Sequence, residues 1–211
     1  MTTAKLLQEE WGSRLVVVGY HVLQFFAAPD IQPSPPDFIF SKDFRTEAGE
    51  QLADEYMILS LPQGLVNRSD FGSGERILAG EWSARVADEM SHPAEAFVHF
   101  LSDSCAFEGV EAKFSIALRQ LTQVSSEWNH VVGIFEDDII EGQKDGSDII
   151  FPFSHQHIFR GYVNGSIGQI VISSNLNFAP GEAVYYYFST ILGAEWVPDN
   201  CYLFAFILYT E

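Results

Sequence analysis

The sequence predicts an α+β protein in two parts: an α/β domain over residues 1–92, then an antiparallel, immunoglobulin-like β-sandwich over residues 93–211. Three observations carry that reading. Up to Met90 the apolar residues recur mainly at helical spacing around a short β-branched run. After Pro93 they alternate as in strands. Between the two regimes, Ser91-His92-Pro93 breaks the pattern. A chain of 211 residues has room for both parts, and 18 Phe with 8 Tyr favour β-structure with a large buried area.

The elements follow in order. Ala4, Leu6, Leu7 and Trp11 recur at helical spacing, so residues 2–11 are expected to be a helix that stops at Gly12. The run Arg14-Leu-Val-Val-Val-Gly-Tyr-His21 is too apolar to be half-buried and is expected to be a strand covered on both faces. Four prolines in residues 28–42 mark an irregular loop. Thr46 is placed to cap a second helix, with Glu47 and Glu50 in its first turns and Ala48, Leu52, Ala53 and Tyr56 as its buried stripe. Leu61 to Asn67 reads as a turn feeding a strand, with Arg76-Ile-Leu-Ala as its partner. A third helix over 81–90 would bury Trp82 and Val86. Beyond the break, strands are expected at 95–107, 111–121, 129–137, 155–164, 167–173, 182–191 and 201–209. The turn signals between them are Glu108-Gly109, Asp145-Gly146-Ser147, Asn164-Gly165, Pro180-Gly181 and Pro198-Asp-Asn200.

Charge narrows the partners. The net charge is −18, divided as −7 over residues 1–92 and −11 over residues 93–211. Phosphate backbones and anionic membrane surfaces would be repelled, which argues against nucleic-acid binding and electrostatic adsorption to a membrane. The acidic surplus favours a cation or a basic partner. The longest apolar run, Cys201 to Tyr209, is far shorter than a membrane span, and Met-Thr-Thr-Ala-Lys does not open a signal peptide.

The block His155-Gln156-His157-Ile158-Phe159-Arg160 is the most pointed feature. Read as one strand, it sets His155, His157 and Phe159 on one face and Gln156, Ile158 and Arg160 on the other, with a glycine turn at Gly165 leading into a second strand. Two imidazoles so spaced could share an ion, but neither His99 nor His130 is tied to them as a third ligand, so no metal is expected. The histidines are expected to cap strand ends or bond backbone carbonyls, and Arg160 to pair with Glu136 or Asp137. The acidic segments Glu136-Asp137-Asp138 and Lys144 to Asp148 lack the oxygen-ligand spacing of a calcium loop and read as a solvated hairpin. No Gly-x-Ser-x-Gly elbow supports a triad, and Ser83 and Ser154 read as cap and loop residues. Cys105 and Cys201 are two buried thiols or a disulfide, according to whether their strands are neighbours. Tyr185-Tyr-Tyr-Phe188 reads as the two faces of one strand, and its exposed members are the best hint of a partner surface.

Taken together, these pieces resemble a known family. Residues 14–21, Phe44-Arg-Thr-Glu-Ala-Gly49 and Pro62-Gln-Gly-Leu-Val-Asn-Arg68 are similar to parts of a thioredoxin-like domain. Ile134-Phe-Glu-Asp-Asp-Ile-Ile140 with Gln143, then His155-x-His157-Ile-x-Arg160, Gly165, Gly168 and Ile170, and finally Leu203-Phe-Ala-Phe-Ile207 follow. In that order, over nearly the whole chain, they look like the outer membrane protein-28 related family of Bacteroidetes surface lipoproteins.

The resemblance implies an outer-membrane or cell-surface location, adhesin-like binding, no enzymatic activity and no cofactor. It also implies a cis Pro62, which joins His155, His157 and Arg160 as a candidate binding residue. Family members with the full front domain carry a first strand and a Cys-x-x-Cys pair ahead of the first helix. This chain starts inside that helix, so the strand, the cysteine pair and the lipid anchor are expected upstream. An interior strand missing from the sheet would leave unpaired backbone groups, to be met by a second chain in a homodimer or by rearrangement.

Three functions follow for weighing. The first is a non-enzymatic surface protein binding a protein, peptide or glycan. The second is a thiol-disulfide oxidoreductase whose redox motif lies upstream, since residues 1–104 contain no cysteine. The third is a transmembrane β-barrel, disfavoured by the α/β front half and by irregular alternation.

Overall fold

The computed structural model describes residues 2–29, 42–68, 77–101, 106–108, 110–122, 127–145, 148–172 and 179–210. The chain is mixed and mostly β. Its helices are short: α1 (Thr2–Trp11), α2 (Glu47–Glu55) and α3 (Trp82–Ser91). Each stands where the spacing of apolar residues predicts. α1 stops at Gly12, which takes the left-handed φ of +55° that ends helices at low cost in glycine. α2 begins at Thr46, whose Oγ1 accepts from the Gly49 N–H at 3.0 Å. Its stripe of Leu52, Ala53 and Tyr56 is buried. β1 (Gln63–Gly64) and β2 (Ile77–Leu78) form the expected antiparallel pair, and α3 buries Val86 while the Trp82 indole N–H reaches the Ile77 carbonyl.

The run from Arg14 to His21 departs from expectation. It is extended but not a ladder strand covered on both faces: Val16 is exposed, and pairing is limited to parallel bridges of Gly19 with Ile158 and of His21 with Arg45. Its apolar side chains pack on the edge of a sheet in the second half and on α2, while Val16 is left exposed.

That second half contains two antiparallel sheets around a common core. In one, β5 (Glu111–Gln120) lies between β11 (Ala183–Ile191) and an edge shared by β3 (Ala96–Phe100) and β4 (Ala106–Glu108). In the other, β6 (Glu127–Glu136) lies between β12 (Cys201–Thr210) and an edge shared by β9 (Ile158–Tyr162) and β10 (Gln169–Ile172). Alternation decides what meets between them. Phe114, Ile116 and Leu118 of β5 pack against Trp128 and Val132 of β6, with Tyr186 and Phe188 of β11 joining from the side. β6 is buried along almost its whole length, because its other face is covered too. There Phe135, Phe159 and Phe204 pack with Val18, Tyr20 and Ala48, so the front half lies on the second sheet as a further layer.

Two expectations about the histidine block are corrected. First, residues 155–164 are not one strand. β8 (Asp148–His155) ends at His155, and His157 takes a φ of +58°, which breaks the alternation before β9 begins. His155 and His157 therefore do not share a strand face. Second, Gly165 does not turn a hairpin. β9 and β10 both pair with β6, at Gly133–Glu136 and at Trp128–His130, so they form one interrupted edge with the loop of residues 163–168 between them. The expected strand 95–107 is likewise divided, with β3 ending at Phe100. The acidic segment is a hairpin, β7 (Ile139–Asp145) with β8. Cys105 lies outside the described residues, as does most of the proline-rich loop; Cys201 is buried and unbonded.

Candidate functional site

The histidine block is where the front half is fastened to the sheets. Arg160 Nε donates to Glu136 Oε2 at 2.8 Å, and the other Glu136 oxygen accepts from the Val197 N–H at 3.0 Å. Glu136 is 2% exposed, so a guanidinium and an amide replace the water this carboxylate gave up. The guanidinium also stacks against Phe44, from the front half, and Trp196, 5.6 and 5.8 Å from the ring centroids. Of the two partners expected for Arg160, the structure selects Glu136. Asp137 serves His157 instead: its Oδ1 accepts from the His157 backbone N–H at 2.5 Å and lies 3.2 Å from the ring Nδ1. On its far side His157 Nε2 reaches Gln8 Oε1 of α1 at 3.0 Å.

His155 points the other way, into a small aromatic pocket. Its Nε2–H donates to the Gly142 carbonyl at 3.1 Å, the backbone bond expected of it. His21, from the front half, stands 6.0 Å away ring to ring, and Phe44 lies 5.2 and 5.1 Å from the two imidazoles. Among the described residues, the Nδ1 atoms of both histidines are buried without a hydrogen-bond partner. Burial holds the His21 pKa down at about 4, with the nearby His155 and Arg160 acting in the same direction and Asp43 against it. Burial also lowers that of His155, while its bond to Gly142 and the charge of Glu141 oppose the shift.

A second fastening lies further along the seam. Tyr20 and Tyr162 share a hydroxyl–hydroxyl bond of 2.8 Å, and Arg68 donates to the Tyr162 hydroxyl and, at 2.6 Å, to the Ser166 carbonyl. Pro62, following a cis Leu61–Pro62 bond, is exposed and apart from these groups. Among the described residues no group of three or more histidine, cysteine or acidic side chains is arranged to hold a metal, and no helix is long and apolar enough to cross a membrane. Burial pushes the Cys201 thiol up to about 11, away from the reactive thiolate range.

The accessible site is elsewhere, on the outward face of the first sheet. Strand alternation sends Tyr186 and Phe188 into the core and leaves Tyr185 and Tyr187 outside, 54% and 79% exposed. Register places Tyr187 beside Ser115, and Tyr185 beside Ala117, which in turn faces His99. Arg119 stands between Ala183 and Phe97. Phe97 is 52% exposed and its ring lies 5.2 Å from that of His99. Ser115 and Ala117 between them are small and buried, so these exposed side chains form a platform on a face whose middle is closed to solvent.

The sequence pointed to Tyr185 and Tyr187 but missed Phe97, His99 and Arg119. Their signal was the alternation Phe97-x-His99 and Lys113-x-Ser115-x-Ala117-x-Arg119, which cannot be read as one face until the register of β3 and β11 on β5 is known. Compared with protein-family models, curated proteins and solved structures, the chain has no match in any of the three.

Proposed function

We propose that this chain is the ectodomain of an outer-membrane or cell-surface lipoprotein of the outer membrane protein-28 related kind, working as a non-enzymatic, adhesin-like binding protein. In this reading a thioredoxin-like front part is mounted on an immunoglobulin-like sandwich. The succession of helix, extended segment, helix, hairpin and helix in residues 2–91 supports the first assignment, and the two facing antiparallel sheets support the second. One observation carries the binding role: strand register gathers Phe97, His99, Tyr185 and Tyr187, all exposed, on one sheet face, while His155, His157 and Arg160 are engaged within the chain. Large exposed aromatic side chains gathered on a rigid sheet are the usual mark of a recognition surface. The histidine block then serves binding indirectly, by holding the two parts together.

The test is adhesion. Purified chain is applied to immobilised host-surface proteins, peptides and glycans, alongside a variant carrying Tyr185→Ala and Tyr187→Ala. The double variant is expected to keep its fold and lose retention; equal retention of both proteins on every surface would remove the platform from consideration.

A further inference from the structure

We infer that the occupant of the aromatic platform is an uncharged oligosaccharide chain. The inference rests on the binding role proposed above and goes further, to the chemistry of the ligand.

Size is the first argument. The platform is three strands wide and runs from the row of Phe97 to the row of Tyr187. With strands about 4.8 Å apart and a rise of about 3.4 Å per residue, that is on the order of 200 Å². A standard protein interface takes roughly 800 Å² from each partner, so neither a second copy nor a folded protein gains enough here. Strand addition would seat a peptide beside the platform and not on it, since β5, its middle strand, is already paired on both sides, by β11 and by β3 and β4.

Charge is the second argument. Residues 93–211 hold only four Lys and Arg, and two of them, Lys113 and Arg119, stand on the outward face of β5. The carboxylates placed on this face by strand register, Glu111 and its partner Glu108, lie together at its end, Glu111 bonded to Ser189 and 3.3 Å from Lys113. Among the described residues, the rows from Phe97 to Tyr187 thus place no carboxylate on this face, on a molecule of net charge −18. Its donors, the Arg119 guanidinium and the tyrosine hydroxyls, suit a ligand rich in hydroxyl oxygens. The long-range field repels an anionic one.

Stacking is the third. Exposed aromatic rings on one sheet face offer their flat sides to the C–H faces of sugar rings, while the hydroxyl rim of each sugar meets the donors beside them.

Native gels containing xyloglucan, galactomannan or dextran, with alginate and polygalacturonate as anionic counterparts, test this, supported by a glycan array. At least one neutral polysaccharide is expected to retard the chain. Tyr187→Ser should weaken that retardation about ten-fold, and Tyr187→Trp should preserve it. Leu59→Ala, which changes an exposed apolar side chain on the front half, should leave it unchanged. Retardation by the anionic polymers alone would overturn the inference. So would an immobilised peptide or protein held by the wild type and lost in Tyr187→Ser while no glycan is bound; the binding role would then survive without the sugar. Binding of nothing by this face would remove both.

Discussion

Arg160 and Glu136 show what a single buried pair does for the seam. The carboxylate is closed off from solvent and spends both oxygens on partners within the chain. Replacing Arg160 with Leu would strand that charge, and an unpaired buried carboxylate costs about 3–5 kcal/mol. Urea unfolding of Arg160→Leu is expected to show a loss of that order, and the double variant Arg160→Leu, Glu136→Leu a smaller one, because it buries no charge. His130 is the opposite case. It is fully buried in the core against the rings of Tyr186 and Phe188, 4.1 and 5.7 Å away, with neither ring nitrogen bonded to a side chain among the described residues. Burial lowers its pKa from 6.5 to about 4. The unfolded chain therefore takes up this proton first, so its contribution is complete above about pH 6.5 and is lost as pH falls toward about 4. His130→Leu should lower the midpoint of acid unfolding while changing stability at neutral pH by less than about 1.5 kcal/mol; circular dichroism against pH checks both.

Among the elements, the interrupted edge of β9 and β10 sets the sharpest local requirement. Gly165 and Gly168 both have positive φ, +86° and +70°, but they differ in surroundings. A Cβ on Gly165 meets open space, whereas one on Gly168 would come within 2.0 Å of the His130 carbonyl oxygen. Gly165→Ala should therefore cost about 1–2 kcal/mol of left-handed strain, and Gly168→Ala substantially more, with loss of the β10 pairing; thermal unfolding of the two variants makes the comparison.

The sequence disclosed these elements unevenly. Helices were legible because cap and stripe lie close together in the chain, as with Thr46 and its stripe Leu52, Ala53 and Tyr56. The two-face reading of Tyr185 to Phe188 was legible for the same reason. The break at His157 was not, because it depends on Asp137 holding its backbone N–H from twenty residues away. Nor was the strand status of 14–21, which needed a neighbour that local pattern cannot supply. Arg160 could be matched to an acidic segment but not to one carboxylate in it, and the meeting of His21 with His155 left no local trace.

At the scale of the whole molecule, the seam is the part that acid should loosen first. His21 and His155 come from opposite sides of it, and their protonation would add positive charge to an aromatic cluster, with Arg160 beside His21 and Lys42 near His155 adding to the effect and Asp43 and Glu141 opposing it. Both are held below their ordinary pKa, so the seam is tightest above about pH 6.5 and weakens as pH falls from there toward their lowered values. Hydrogen exchange corrected for intrinsic rate should accelerate in residues 15–23 at pH 5 relative to pH 7.5, before the amides of β5 and β6 do.

One edge has the opposite character to the broken one. β12 is ten residues long and almost wholly apolar, and it pairs with β6 on one side only among the described residues. Nothing in its Cys-Tyr-Leu-Phe-Ala-Phe-Ile-Leu-Tyr-Thr stretch carries a charge or a proline to blunt that free margin. Crowded at high concentration, these molecules have a ready template on which to grow fibrils, and the C-terminal strand is where that growth would begin.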